Sequence, residues 1–448
     1  MAYVRGNRCD YDRWASYGLD GWSYDDVLPY FRKQESWENG ASEYRGGNGP
    51  LATRKARYAD PLVDAYLGGA QAAGYTLNDD YNGASQDGFA RMQMTIRHGR
   101  RDSAATAYLH PVLSRPNLTV AVHSHVTRVV FDGLCARGVE YVTEDQRQIA
   151  RATREVILCG GAINSPQVLQ LSGIGDPDAL AAHGIAVKAA LPGVGRNLQD
   201  HAAALLIYSR GDRSPLLRNM RLDRLAVGLL QAMAFGTGFM TDLPGGITGF
   251  VKTDAAKPVP DIQLLFIAGS LTAAPYLPPF RKAFADSFAC RIVLLRPESR
   301  GSVTITSADP TQHPRIAMGL LAIENDWNTL RDGITIFRGL ARRSELKAFV
   351  VREIGPGADV KTDAALEDYV RRTAVTAHHP CGTCKMGAAH DAMAVVDNEL
   401  RVRTVDNLRV VDASVFPDLV GGNINAPTIM IAERAADMIL GLPRAQQG

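Results

Sequence analysis

Cysteine is scarce in this chain: Cys9, Cys135, Cys159, Cys290, Cys381 and Cys384 are all there is in 448 residues. That excludes a disulfide-held scaffold and fits a reducing compartment. A dominant charge is also missing. The formal net charge is +2 with histidine neutral, and no dense lysine/arginine run occurs, so no nucleic-acid partner is expected. The arginine pairs at 100–101, 342–343 and 371–372 read as solvated faces. The N-terminus has no apolar segment of the kind a secretory signal needs. The longest apolar stretch, Leu225 to Met240, is shorter than a bilayer span and carries Gln231 and three glycines. It is expected as a buried or surface-docking helix ending in a glycine-rich turn. The location expected from these features is cytoplasmic, with peripheral membrane association allowed rather than expected. No internal repeat and no low-complexity block is found.

What is present is ordinary in bulk. Hydrophobic residues make up 46% and charged residues 21%, and the length suffices for two or three cores. "DVLPYFRKQESW" reads as a helix interrupted by Pro29. Asp60 to Gly74 reads as a helix with an aspartate cap, proline in the first turn and a terminal glycine. Val/Thr alternation from Asn117 to Gly133 predicts two short strands. Glu155 to Cys159 is a continuous apolar run suited to a strand buried on both faces. Gly160 and Gly161 allow a tight exit, and Ser165 and Pro166 are expected to cap and open a helix that ends at Gly173. A strand–glycine–helix turn brings a helix N-terminus to a ligand and points to a doubly wound α/β domain. From about Leu191 to Thr376, strand-like runs alternate with longer helical ones, which predicts an α+β domain on an antiparallel sheet. The end returns to α/β style, with a strand over Leu408 to Val411 that stops on Asp412 and a helix with Pro427 near its start.

Two stretches could carry chemistry. "TAHHPCGTCKMG", Thr376 to Gly387, offers His378, His379 and a Cys-x-x-Cys. A redox pair should open a helix, which Pro380, Gly382 and Gly387 oppose. A zinc site lacks a second cysteine pair. One histidine as general base on a rigid loop remains, beside the plain alternative of a structural histidine. The second stretch places Asn423 and Asn425 after a glycine pair and before a helix. The pair permits unusual backbone angles. The helix start frees N–H groups for an anion or an electron-rich ring, unless Asn425 serves only as its cap.

These segments together resemble the glucose-methanol-choline (GMC) family of flavin oxidoreductases over essentially the whole chain. "GAINSPQVLQLSGIG", "LPGVGRNLQDH", "RPESRGSVTI", "HPCGTCKMG" and "DASVFPDLVGGNINAPTIMIAERAAD" carry the resemblance. It implies an α/β FAD-binding domain plus an α+β substrate domain with an antiparallel sheet. The divisions expected are 1–205 for the FAD-binding region, 206–295 for a substrate-domain segment and 296–440 for the C-terminal region. The resemblance implies FAD as cofactor and oxidation of an alcohol, the hydroxyl proton going to a histidine and the hydride to flavin N5. His379, immediately before the proline, matches the base, and Asn423 matches the second catalytic position, with His378 where tyrosine is frequent. Met1, Ala2, Val126, Asp412, Ala413, Asn425 and Ala426 match cofactor contacts. The implied substrate is a small aliphatic or primary alcohol, with a choline-dehydrogenase-like substrate as the alternative. The electron acceptor, quinone or oxygen, is left open, and no metal is implied. Family members begin with a strand, a G-x-G-x-x-G turn and a helix, and none of these occurs here. The opening "MAYVRGN" resembles an interior segment, so an N-terminally truncated chain that holds FAD weakly, with impaired catalysis, is the expectation it raises.

Overall fold

The computed structural model describes residues 2–445. Helix α1 (Arg8–Ser16) opens on a capping box in which Asn7 and Asp10 satisfy each other's backbone N–H groups. Helix α2 (Tyr24–Gln34) has the same device at Ser23 and Asp26 and runs through Pro29. The interruption expected at Pro29 does not occur. Its cost, about 3 kcal/mol for an interior proline, is offset by burial of Tyr24, Val27, Leu28, Tyr30 and Phe31. Helix α3 (Pro61–Ala72) starts as read, with Asp60 accepting from the Leu62 N–H.

Strand β1 (Gly88–Arg91) belongs to the large sheet described below. One strand, β2 (His125–Asp132), replaces the two expected between Asn117 and Gly133; residues 117–124 lie on the surface without a ladder partner. It forms an antiparallel meander with β3 (Cys135–Thr143) and β4 (Gln146–Arg151). Strand β5 (Val156–Leu158) is shorter than read and buried on one face only, because Ile157 is 40% exposed.

Helix α4 (Gly161–Leu171) begins four residues before the expected Ser165 cap. Pro166 sits in its interior without breaking it. The carbonyl that Pro166 cannot serve, that of Ala162, accepts instead from the Thr383 hydroxyl at 2.6 Å. Ser165 accepts from the Gly160 N–H and donates to Asp412, so it ties the turn to another segment rather than capping a helix.

Strand β6 (Ala202–Arg210), helix α5 (Leu222–Phe235), strands β7 (Ile247–Val251), β8 (Ile262–Ile267) and β9 (Ser287–Leu294), helix α6 (Glu324–Ala341) and strand β10 (Val350–Gly355) make up the middle. The expected antiparallel sheet is there, in the order β10–β6–β9–β8–β7–β1, with Val375–Thr376 paired to the start of β6. Helices α3 and α6 cover one face, where Leu62, Tyr66, Leu330, Ile334 and Phe337 pack on Leu206, Ile262, Leu264, Phe266 and Ile292. Alternation along β7 and β8 therefore turns Thr248 and Gln263 to the opposite face. Strand β11 (Leu408–Val410) pairs parallel with β5, the strand that leads into α4, in a sheet of two strands. Helix α7 (Asn425–Leu440) closes a second core with Trp14, Trp22, Phe31, Val410 and Phe416.

Candidate active site

Two stretches far apart in sequence are zipped together at the start of β6. Gln199 and Cys381 exchange backbone hydrogen bonds at 2.9 and 3.0 Å, the His201 carbonyl accepts from the Ala377 N–H, and Ala202 lies opposite Thr376. This pairing sets His201 against His379. Asp200 accepts the His379 backbone N–H at 3.0 Å and the Thr376 hydroxyl, which fixes the turn at its base. Within that turn His378 takes φ +63° and points outward, while His379 is buried.

The hydrogen bonds decide the tautomers. His201 Nε2 lies 3.2 Å from the Leu295 carbonyl and 3.1 Å from the Val420 carbonyl. Carbonyls only accept, so Nε2 carries the proton and Nδ1 of the neutral ring is an acceptor. His379 Nδ1, 3.0 Å away, must then be the donor, which leaves His379 Nε2 unprotonated, with a lone pair that can accept. That lone pair faces Asn423 Nδ2 at 2.9 Å. Burial pushes the His379 pKa well below the ordinary 6.5, and His201 and then His378 push the same way. Burial lowers His201 to about 4. Both rings are neutral near pH 7.

Asn423 is delivered by the glycine pair before it, for a reason other than the one expected. Neither Gly421 nor Gly422 has positive φ. They allow close approach: a Cβ on Gly422 would lie 2.4 Å from Val4 Cγ1, and one on Gly421 would lie 2.9 Å from an Arg296 nitrogen. The Gly421 N–H is anchored by Asp10 at 2.7 Å and its carbonyl by Gln86 at 2.7 Å. From the sheet side, Gln263 Nε2 binds Thr248 Oγ1 at 3.1 Å and reaches Asn423 Oδ1 at 3.5 Å.

Asn425 does not cap α7. It is the first helical residue, and the cap position, Ile424, contributes no side-chain bond. The backbone N–H groups of Asn425 and Ala426 therefore have no partner among the described residues. Gln34 Nε2 bridges the Tyr3 hydroxyl to the Ala426 carbonyl, and Gln34 Oε1 is buried there unpartnered. Ala2, one residue from Tyr3, pairs with Met94. Met1 lies outside the described residues.

Asp412 and Ala413 sit at the end of β11. The Asp412 carboxylate accepts from the Gly161 N–H, the Ser165 hydroxyl and the Ser414 N–H, so it holds the glycine turn to the strand. Val126 lines a cavity of about 530 Å³ along the open edge of β5, together with Cys159, Gly160 and Asn164. The structure thus brings His379, Asn423, Asn425 and Ala426 together, and sets Asp412, Ala413 and Val126 around the β5–α4 turn. Cys381 and Cys384 are buried free thiols whose pKa values burial raises. No group of three or more metal-ligating side chains that could hold an ion occurs among the described residues.

Residues 1–203 and 297–432 match an N-terminal and a C-terminal family model, both described as GMC oxidoreductase. The chain belongs to the GMC oxidoreductase family. Human mitochondrial choline dehydrogenase is 44% identical to this GMC protein over 446 residues, 99% of this chain and 74% of that one. Among solved structures, pyridoxine 4-oxidase from Mesorbium loti superposes with a TM-score of 0.84 at 29% identity, covering 99% of this chain and 82% of that one. A formate oxidase of Aspergillus oryzae RIB40, described for the effect of a mutation on its FAD modification, gives 0.87 at 26% identity, covering 98% and 82%. This GMC protein is accordingly an FAD-dependent alcohol dehydrogenase by family, with a small-molecule alcohol as substrate and a separate electron acceptor.

The residues present fit a flavin. The start of α7 offers two unpaired N–H groups and a positive dipole end next to the His379–Asn423 pair. A Cβ on Gly161, φ +78°, would meet nothing within 4 Å, so the turn after β5 leaves its backbone open to a ligand.

Local sequence pattern marks His379 and Asn423 but not His201, Asp200 or Gln263. His201 closes the motif "LPGVGRNLQDH", which is the one signal that points to it. Its role depends on pairing with residues about 180 positions later, and spacing does not reveal that. Nothing local marks Gln263 apart from a polar residue in an apolar strand.

Proposed function

We propose that this GMC protein oxidises a primary alcohol to the aldehyde, with His379 as general base and Asn423 as the group that orients the substrate oxygen. The observation that carries the reading is the unprotonated His379 Nε2, its tautomer fixed through His201 and its lone pair facing the Asn423 NH₂. Bound FAD supplies the hydride acceptor, N5 of the ring by family resemblance. The N–H groups of Asn425 and Ala426 would hold its flavin end, and Asp412, Ala413, Val126 and the turn after β5 would serve the remainder, with Ala2 and Met1 at the chain start.

The residues' own part is proton handling. His379 Nε2 takes the hydroxyl proton while Asn423 Nδ2 donates to the oxygen that becomes negative. Burial makes His379 a weak resting base, so it stays unprotonated and ready at neutral pH, and its proton uptake is favoured only as negative charge forms beside it. The His379 Nδ1–H then remains on His201 Nδ1, which keeps the ring from turning. Gln263 and Thr248 behind Asn423 are neutral, which suits an uncharged aliphatic alcohol.

A second reading, choline as substrate, draws on the 44% identity to human choline dehydrogenase. Both are tested together by supplying FAD and following reduction of an artificial dye with a series of primary alcohols and with choline. Turnover of unbranched alcohols above choline supports the first reading, and the reverse order supports the second. No turnover of any alcohol, with FAD bound, would sink both. We further propose the divisions 1–205, 206–295 and 296–440 as the working units of the chain. A cytoplasmic location is part of the same proposal, supported by six free cysteines.

A further inference from the structure

Helix α5 is turned inside out. In a surface helix the apolar stripe faces the core and the polar residues face water. Here the one buried residue is Gly228, packed so closely that a Cβ would lie 2.4 Å from the Phe239 ring. The apolar side chains point away: Leu222 is 45% exposed, Val227 65%, Leu229 48%, Leu230 67%, Met233 63% and Phe235 77%. Between Leu225 and Met240 no side chain is charged.

The surroundings extend this surface. The Leu222 N–H donates to the Tyr276 carbonyl at 2.9 Å, which docks the 276–281 loop beside the helix start. Leu277 pairs back onto Arg281, and the turn between them projects Phe280, 88% exposed. At the other end the His98–Gly99 turn rests on Gly236, where a Cβ on Gly99 would lie 2.4 Å from the Gly236 carbonyl. Cations ring this apolar surface at both ends. Arg218, Arg224, Arg281 and Lys282 stand exposed near the helix start, and Arg100 and Arg101 near its end. Among the described residues none of these six forms an ion pair. The neighbouring carboxylates are taken: Asp223 by Arg221 and Asp242 by Arg54.

We infer that this face binds the surface of an anionic lipid bilayer, with α5 lying in the headgroup boundary and Phe280 inserted beside it. Apolar side chains flanked by basic ones are what an interfacial helix presents to acidic lipids. No helix among the described residues is long and apolar enough to cross a membrane, so the contact is with one leaflet. A second copy of the chain suits the face less well. A two-fold contact would set the same unpaired cations against each other with no carboxylate to neutralise them.

The test is flotation of the full chain with vesicles of phosphatidylcholine alone and of equal parts phosphatidylcholine and phosphatidylglycerol. The protein rises with the anionic vesicles and not with the neutral ones, and molar salt releases most of it. The Leu230→Asp/Phe280→Asp variant loses binding about tenfold or more, and so does Arg224→Gln/Arg281→Gln/Lys282→Gln, each with an unchanged melting curve. Failure to float with anionic vesicles overturns the proposal. So does equal binding to neutral vesicles, or a wild-type dimer that the Leu230→Asp/Phe280→Asp change dissociates while neither form binds lipid. Wild-type flotation and its salt response need no variant, so they decide the matter even where a variant misfolds.

Discussion

His201 and His379 meet Nδ1 to Nδ1 at 3.0 Å, and the two carbonyls behind His201 determine which of them donates. If His379 is the base whose lone pair this arrangement exposes, His379→Ala lowers kcat by about 10²- to 10⁴-fold. Bound flavin stays constant, and added imidazole restores part of the rate. The check is dye-coupled turnover against flavin absorbance in the same sample. Unchanged turnover would remove His379 from the chemistry.

His201 acts through His379, so its replacement has a different signature. His201→Phe removes the acceptor that holds the His379 tautomer and lowers kcat by about 10²-fold. It also removes one of the groups that depress the His379 pKa, so the acid limb of the kcat/KM profile moves to higher pH. A purely structural role would cut the rate without moving that limb. The pH profile of wild type and variant, recorded side by side, separates the two.

The same burial makes a stability prediction. His201 has a pKa of about 4 in the folded protein, against about 6.5 in the unfolded chain. Between those values the unfolded state holds the extra proton. Unfolding free energy therefore rises with pH through this window, is complete above about 6.5 and is lost as pH falls toward 4. The contribution of His201 is about 3 kcal/mol, and His379 adds with the same sign. Urea titrations across the window should show wild type losing more stability toward low pH than His201→Phe does. Equal slopes would show that the buried ring is not the source.

A buried ion cluster supplies a test outside the site. Glu35, fully buried, bonds Arg5 at 2.7 Å and Arg45 at 2.9 Å. Burial raises its pKa, but Arg5 and Arg45 overcome this and hold it below the ordinary carboxylate value. Glu35→Gln leaves Arg45 with Asp80 and leaves the buried Arg5 with only the Tyr44 and Phe31 carbonyls and the Tyr3 hydroxyl, and costs about 3–5 kcal/mol. Equilibrium unfolding at neutral pH measures it, and a loss under about 1 kcal/mol would mean that water reaches the cluster.

Much of the fold is legible in the sequence because its local signals are strong. The aspartate cap on α3, the antiparallel sheet of the middle region and the start of α7 after Asn423 are all readable. Prolines mislead in two places. Pro29 and Pro166 look like punctuation, yet the first is outweighed by a buried helix face and the second by a hydroxyl from Thr383, over 200 residues away in sequence. The glycine pair before Asn423 stands out in the sequence but suggests the wrong property, since the close approach of Val4 to Gly422, rather than φ, is what excludes a side chain there. The His201–His379 relation is out of reach, because only the pairing of 199–203 with 375–381 creates it.

That relation has a counterpart on the far side of Asn423, and it carries the last prediction. An amide can present either its oxygen or its NH₂ to His379, and only the NH₂ complements a bare Nε2. Gln263 Nε2, held by Thr248, reaches the Asn423 oxygen at 3.5 Å and draws it away from the histidine. Gln263→Leu leaves Asn423 free to turn, so the oxygen faces the lone pair in part of the population. Loss of one modest hydrogen bond, about 1 kcal/mol, corresponds to a fall in kcat of about fivefold. KM should change less, because the orientation matters most once negative charge forms on the substrate oxygen. Gln263→Glu keeps the shape but replaces the donor with an acceptor, so its kcat should fall further than that of the leucine variant. If both variants melt earlier but turn over at the wild-type rate, Gln263 merely fills the sheet face and does not orient Asn423.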